Sequence, residues 1–567
     1  MRPLPTSPTP ARRLGGLSAG FLAACAIGAT AVAAPPAGPA EPAKAAALPS
    51  PDADDGGLTL PPGFRALVVA DDLGPLRFLT VAPSGDVYVK TRETGIIALR
   101  DTDGDGRADV KEAFGGGGGT GIALRDGWLY HSTNKAVFRY RLDPGQLVPK
   151  GEPETVVSGL PDERQHNAKS FAFDEGGRLF VEVGSPANAY GDPDRAKGAK
   201  GKDPTEFLKS HGGFWRFDPD KNGQTQADGF HFTTGHRHMI ALAWNPVSKA
   251  FFAVQHGRDQ LSTVAPEHYS DDDNAELPAE EMHVLREGAN FGWPFTYYDP
   301  LRKARMVGPE YGGDKEKRAE PGKYPDPLVA FPAHWAPMQM AFYRGEQFPA
   351  KYRGGAFIAF HGSWNRAPRP QKGYKVVYVP FDEKGMPVGD HETFADGFAG
   401  KEEFTNVRDA RYRPCGLAVG PDGSLYVSDS VRGRVWRIVY TGEKAASGAG
   451  ARPAPPAGPA GDVARGAELY RQVCAACHMA DGTGVPGLQP ALEGSRIVAG
   501  DPATLVRLLL LGPDAVLSPD RPSGGSRMPA YAGLTDENLA DLLTYTRTAF
   551  ARGAGPISSV EVALHRP

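Results

Sequence analysis

Cysteine is nearly missing from this chain: four residues in 567, at Cys25, Cys415, Cys474 and Cys477. The last two stand together in one short motif, so no disulfide framework remains, and a disulfide-stapled scaffold is excluded. An excess of either charge is missing too. The 63 basic and 67 acidic residues nearly cancel, which leaves no footprint for nucleic acid or for an anionic membrane surface as partner. From Leu14 to Ala34 charge is absent altogether, directly after Arg12 and Arg13. A basic start followed by an uncharged apolar run is the layout of an export signal, here residues 1–34, with Ala31-Val32-Ala33 as its cleavage site. Two alternatives stay open: a lipoprotein-type signal ending Leu22-Ala23-Ala24-Cys25, and an uncleaved N-terminal anchor, which would be the one membrane attachment. Residues 35–56 hold few large apolar side chains and read as a disordered lead-in.

What the chain has in abundance is turn chemistry. It holds 71 glycines and 53 prolines beside an ordinary 40% apolar fraction, the mark of many turns between short strands. Its length exceeds a single hydrophobic core and implies two or three units. One unit recurs: an apolar strand, a turn that usually carries glycine, then a second apolar strand ending on an aromatic-aliphatic pair. It starts at Phe78 (with Gly85 and Tyr88), Gly121 (Gly127, Tyr130), Phe171 (Gly177, Phe180), Leu242 (Phe251), Met340 (Gly355, Phe357) and Leu417 (Gly423, Tyr426). Strands joined this way are hairpins. Their repetition predicts an all-β propeller over residues 57–440, six echoes for six blades. The spacing widens between the third, fourth and fifth echoes, so long loops are expected there, on the face where propellers carry their sites. An irregular sandwich is the competing fold.

A second unit is announced by Cys474-Ala475-Ala476-Cys477-His478. C-x-x-C-H attaches a c-type haem: Cys474 and Cys477 form thioethers with the porphyrin, and His478 ligates the iron. Such attachment happens outside the cytoplasm, which agrees with the export signal and predicts a periplasmic protein. Residues 441–461, rich in Pro, Ala and Gly, read as a linker. Gly466, Leu469, Tyr470, Val473, Cys474 and Cys477 then share one helical stripe. Thr535 is the expected N-cap of a terminal helix, with Asp536 and Glu537 in its first turn and Leu539, Leu542, Leu543 and Phe550 as its buried stripe. Pro490 and Met528 resemble the haem-side proline and the second axial ligand of class I cytochromes, which are small all-α domains. By that resemblance residues 462–553 form a cytochrome c domain, Met528 completes the iron's ligands, and 554–567 is a tail.

Within the first propeller repeat, Asp101, Asp103, Asp105, Gly106, Asp109 and Glu112 fit positions 1, 3, 5, 6, 9 and 12 of a calcium loop, with Arg107 at the backbone-carbonyl position. The expectation is a structural calcium; a solvated acidic turn is the alternative.

Three stretches bring polar residues to strand ends: Arg164–Asn167; Gly235–His238 together with Gln255–Asp259; and His361–Arg366 together with Arg411–Arg413. A histidine at the mouth of a blade can act as a general base, and converging arginines suit a planar polycarboxylate. Gly235-His236-Arg237-His238, Gly288–Pro294, Gly362–Arg366 and Arg413-Pro414 resemble the quinoprotein sugar dehydrogenases, including soluble glucose dehydrogenase and the sorbosone dehydrogenase-like group. These are six-bladed propellers that use pyrroloquinoline quinone (PQQ) with calcium. The resemblance covers roughly residues 60–440. It implies His166 as the base and Arg237 as the group steadying negative charge on a PQQ oxygen. It further implies carbonyls of Gly257 and Arg258 on the cofactor's calcium, Arg411 and Arg413 on PQQ carboxylates, and His238, Asn365 and Arg366 as nearby cofactor contacts. Three positions depart from that pattern. His238 stands where an asparagine is usual, Ser185 where an aspartate supports the base, and Gly115–Gly119 replaces a glutamine-bearing loop. The substrate is therefore a sugar or related alcohol or aldehyde, not assigned to glucose. An external electron acceptor, a cytochrome or a quinone-linked oxidase, is the expected partner. A calcium-dependent hydrolase or lactonase, and a non-catalytic docking propeller, are the competing functions.

Overall fold

The computed structural model describes residues 48–442, 461–485, 489–500, 502–516, 528–551, 555–563 and 565–566. The signal segment with Cys25, most of the linker, and the residues just before Met528 lie outside them.

Each of the six echoes is the inner hairpin of a four-stranded antiparallel blade, to which blade 2 adds a short fifth strand, Gln224–Thr225, parallel to its outer one. Blade 1 runs from Leu76–Val81 to Val110–Phe114, blade 2 from Ile122–Arg125 to Glu154–Ser158, and blade 3 from Phe171–Phe173 to Phe230–Thr233. Blade 4 runs from Ala241–Asn245 to Val329–Phe331 and blade 5 from Pro337–Phe342 to Glu392–Ala395. Blade 6 starts with Pro414–Val419 and is completed by the N-terminal strand Phe64–Ala70, paired antiparallel with Val435–Tyr440. The two ends of the propeller segment thus meet in one sheet, which closes the ring and leaves only the short outer strands of the blades as edges.

Sequence dictates where each strand sits. The second strands Val87–Thr91, Leu179–Val183 and Ala356–Phe360 are buried at every position, because blades stack on both of their faces. The outer strand Val110–Phe114 has a Lys-Glu-Ala centre that faces solvent. Apolar layers fill the spaces between blades: Val157, Leu179 and Trp215 between blades 2 and 3, and Phe252, Ile358 and Val377 between blades 4 and 5. The widened spacings hold extra hairpins (Gly191–Asp192 with Lys200–Gly201, Thr296–Asp299 with Ala304–Val307) and two short helices, Leu261–Val264 and Asp271–Glu276.

The lead-in differs from expectation from Pro49 onward. Asp55 accepts hydrogen bonds from Arg65 Nε at 2.7 Å and Ala66 N at 2.9 Å, Asp52 accepts from Val68 N at 2.8 Å, and Trp436 donates to Gly56 O at 3.0 Å. Its polar residues read as unstructured, but they serve the backbone of the closing strand.

In the C-terminal domain Val463–Val473 is capped by Asp462, which accepts from Arg465 N at 2.8 Å, and the short helix Ala475–His478 follows. Val463–Val473 packs on Asp536–Phe550, whose N-cap Thr535 accepts from Asn538 N at 3.2 Å and whose Leu539, Leu542, Leu543 and Phe550 are buried. The two helices cross at Gly466, where an added Cβ would lie 2.0 Å from Asp541 O. The residues expected as a tail belong to this domain. Ile557 and Val562 are buried in its core, and Ser559–Ala563 packs on the terminal helix.

Candidate functional site

In an antiparallel blade the first strand begins, and the second strand ends, at the same end. His166 precedes the first strand of blade 3, Arg237 that of blade 4 and Arg413 that of blade 6; Gly257 follows the second strand of blade 4 and His361 that of blade 5. All five line one open cleft of about 180 Å³, joined by Asp259, Glu280, His334 and Trp364.

His166 is held in the left-handed region, at φ 50°, a conformation that a bulky residue keeps only where its surroundings impose it. Its Nδ1 meets the Ser185 carbonyl oxygen. A carbonyl only accepts, so Nδ1 carries the hydrogen and Nε2 keeps its lone pair. Burial, and then the nearby charge of Arg237, hold the imidazole well below its ordinary pKa, so it is neutral at physiological pH.

Arg237 donates to Gly257 O at 2.7 Å and to Asp259 Oδ2 at 2.6 Å, and its amide donates to Gln255 Oε1 at 2.9 Å. Arg413 donates to His361 O at 2.7 Å and Gly362 O at 2.5 Å, so its charge meets no carboxylate there. His256 donates to Pro337 O at 2.6 Å, and burial drives its pKa down to about 3. Glu280 accepts from Gly257 N at 2.7 Å and Ala336 N at 2.9 Å, yet burial raises it to about 7.

Other predicted residues lie elsewhere. His238 is behind the cleft, its ring centroid 4.8 Å from that of His166. Asn365 braces the wall, with its amide nitrogen 3.1 Å from His334 Nε2 and its oxygen accepting from Gln260 N at 3.1 Å. Arg366 is 1% exposed and is engaged by Pro370 O at 2.9 Å, Ala275 O at 2.5 Å and Glu276 at 2.5 Å. Its guanidinium ties loops together rather than facing the cleft. The Arg258 side chain turns to a buried partner, Glu310. Arg411 is exposed, its guanidinium 5.2 Å from the Tyr412 ring centre and outside the cleft lining. Sequence reasoning missed Glu280 and His334 as lining residues. Neither sits in a motif, and only the closure of blades 4 and 5 brings them in.

On blade 1, Asp101, Asp103 and Asp109 bring carboxylate oxygens within 4.8 Å of one another, all exposed. The turn needs Gly106, at φ 91°, where a Cβ would strike Pro49 at 2.5 Å and Leu67 at 2.6 Å. Asp105, Arg107 and Glu112 are not in that group. Asp105 accepts from Arg107 N at 2.7 Å, and the Arg107 side chain pairs with Asp52 and donates to Val68 O at 2.8 Å. Glu112 lies on the strand Val110–Phe114 opposite Ala98, because a strand, rather than a returning helix, follows the loop and carries position 12 away.

The C-terminal domain holds an apolar cleft of about 90 Å³. Cys474, His478, Pro490 and Met528 line it together with Leu505 and Leu542. His478 Nδ1 donates to Pro490 O at 2.9 Å, which leaves the lone pair on Nε2, the nitrogen that could accept a metal. Tyr470 and Tyr531 tie the helix to its surroundings through Met479 O at 2.8 Å and Val473 O at 3.0 Å. A half-buried thiol at Cys474, an exposed one at Cys477, an oriented imidazole and a thioether around an apolar slot suit a covalently held haem.

Residues 58–441 match the family model described as TrAA12-like, and residues 463–549 match that of cytochrome c. A pyrroloquinoline quinone-dependent pyranose dehydrogenase of Coprinopsis cinerea is 30% identical over 191 residues, 28% of this chain and 25% of that protein. The cytochrome c subunit of a quinone alcohol dehydrogenase from Gluconobacter oxydans is 34% identical over 101 residues, 17% of this chain and 21% of that protein. The matches thus span about a quarter or less of these relatives' length. A calcium structure of Trichoderma reesei family AA12 has the same fold, with a TM-score of 0.56 at 18% identity, covering 68% of this chain and 97% of the other.

Proposed function

The chain belongs to the TrAA12-like family and carries a cytochrome c domain behind it, and from that premise we propose an exported, periplasmic dehydrogenase. It oxidises a sugar or related alcohol or aldehyde, of the sorbosone type, with PQQ and calcium, and delivers electrons through its own c-type haem to an external acceptor. When bound, PQQ would supply a two-electron centre able to take a hydride, and the haem a one-electron outlet.

His166 carries this proposal. With Nδ1 engaged by Ser185 O, its neutral Nε2 is the atom that takes the substrate's hydroxyl proton. Arg237, fixed by Asp259 and Gly257 O, supplies fixed positive charge where oxygen becomes negative during the reaction. Arg413 offers its guanidinium to carboxylates, with Arg411 at the outer margin. Carbonyls of Gly257 and Arg258 are the calcium contacts. Three buried polar atoms at or beside the cleft (Arg237 Nε, His361 Nδ1 and Tyr374 OH) find no partner among the described residues. That donor set suits a planar ligand rich in carbonyl and carboxylate oxygens. In the C-terminal cleft Cys474 and Cys477 would hold the porphyrin, with His478 and Met528 as iron ligands. Asp101, Asp103 and Asp109 offer hard oxygens for a structural calcium. A lipid at Cys25 is the alternative to signal cleavage.

The test is turnover of an aldose, alcohol and aldehyde panel with a dye acceptor, before and after addition of PQQ and Ca²⁺. PQQ-dependent oxidation is expected. Ester or lactone hydrolysis without dye reduction would overturn the proposal in favour of a hydrolase.

A further inference from the structure

Beneath the cleft lies a buried ionic group that no motif announces. Glu182, on the second strand of blade 3, has no exposed surface. Its Oε1 lies 3.2 Å from His238 Nδ1, 3.4 Å from His236 Nε2 and 3.1 Å from the Met239 amide. Its Oε2 meets no donor among the described residues. Burial alone would push this carboxyl up; His238 and His236 instead hold it below the ordinary carboxylate range.

His238 connects this charge to the base. Its ring lies against that of His166 with planes at 34°. Gly184 permits the approach: a Cβ there would stand 2.7 Å from both His238 Nδ1 and His166 O. The charged and titratable groups facing His166 are Arg237, His238 and His256, and a positive charge on any of them disfavours a proton on it, so the negative charge must come from Glu182 behind the His238 ring. Those facing Glu182 are His236, His238 and, further off, Lys169. Ser185 O, a neutral carbonyl, orients His166 but supplies no counter-charge.

We propose that Glu182 and His238 are positioning residues for His166, with the buried carboxylate acting across the His238 ring as counter-charge to the imidazolium that forms during oxidation. In that step the substrate O–H bond breaks and an N–H bond forms at His166 Nε2. The hydride leaves the same carbon for the bound quinone, and a carbonyl remains. The inference rests on His166 being the base. It takes over the task that Ser185 cannot perform, from one ring further away.

The test uses Glu182→Gln, Glu182→Asp and His238→Asn in the full-length protein loaded with PQQ, Ca²⁺ and haem. Glu182→Gln is expected to lower kcat on the order of tenfold, with KM and PQQ affinity little changed and the acid limb of the pH profile moved to lower pH. Glu182→Asp should restore part of the rate. Without cofactor, NMR titration of ¹³C-labelled His166 should show its pKa lowered further in Glu182→Gln, since a negative charge has been removed. If Glu182→Gln does not fold, His238→Asn carries the same readouts. Unaltered kcat, pH limb and His166 titration in a folded variant would overturn the inference alone. A wild-type protein that binds PQQ but oxidises no member of the panel would overturn the base assignment beneath it.

Discussion

The propeller cleft and the cytochrome cleft solve opposite problems with the same chain. The first is polar, built from strand ends of blades 3 to 6, with imidazoles kept neutral by burial and arginines held by carbonyls and Asp259. The second is apolar, a slot between helices with one oriented imidazole and one thioether. Proton abstraction and charge development require fixed dipoles and donors, whereas a haem iron needs two ligands and exclusion of water. Two chemistries that would spoil each other in one pocket are thereby kept in separate domains.

The sharpest way to break this division is His478→Ala. Loss of the iron ligand should abolish the native c-haem spectrum while dye-coupled sugar oxidation persists, measured by absorbance and a dye assay. Loss of both would mean that the cytochrome domain also supports the propeller. His166→Ala acts from the other side. It should lower kcat by about 10²–10⁴-fold and leave the haem spectrum untouched. The wild-type profile of kcat/KM bears on the same atom. As the proposed base His166 would work unprotonated, and its pKa is pushed down from 6.5, so activity should be lost only as pH falls through a value below 6.5. An acid limb above 6.5 would point to a different base.

A smaller effect separates the domains by stability. Gly466→Ala forces a Cβ toward Asp541 O and should destabilise the cytochrome domain by about 1–3 kcal/mol, seen as a lower melting temperature in the haem band with the propeller transition unmoved. The smallest effect belongs to blade 1. At tenfold excess over Kd, calcium should stabilise the propeller by about 1.4 kcal/mol, and Asp101→Asn should remove that shift in a thermal melt.

The two sites also differ in how far the sequence discloses them. Haem attachment demands two thiols and a histidine within one turn and a half of helix, so Cys474, Cys477 and His478 are visible as a contiguous motif. The six blades are legible for a similar reason, since each inner hairpin repeats its own local pattern from Phe78 to Tyr426. The propeller cleft has no such locality. His166, Arg237 and Arg413 were found through ordered resemblance, whereas His334, Glu280 and Glu182 look like ordinary core or strand residues until neighbouring blades pack. Arg366 shows the converse. Its motif suggested a cofactor contact, but Glu276 and the Ala275 and Pro370 carbonyls claim the guanidinium in the fold. Glu112 matched a calcium loop by spacing alone, and the strand that follows the loop removes it.

In the proposed reaction the two clefts form one electron path. Rapid mixing of an oxidised substrate-free protein, loaded with PQQ, Ca²⁺ and haem, with its sugar tests it most directly, with no added dye. The reduced c-haem band should rise in step with sugar oxidation and fail to rise in His166→Ala. Sugar consumed at the native rate while the haem stays oxidised would contradict it.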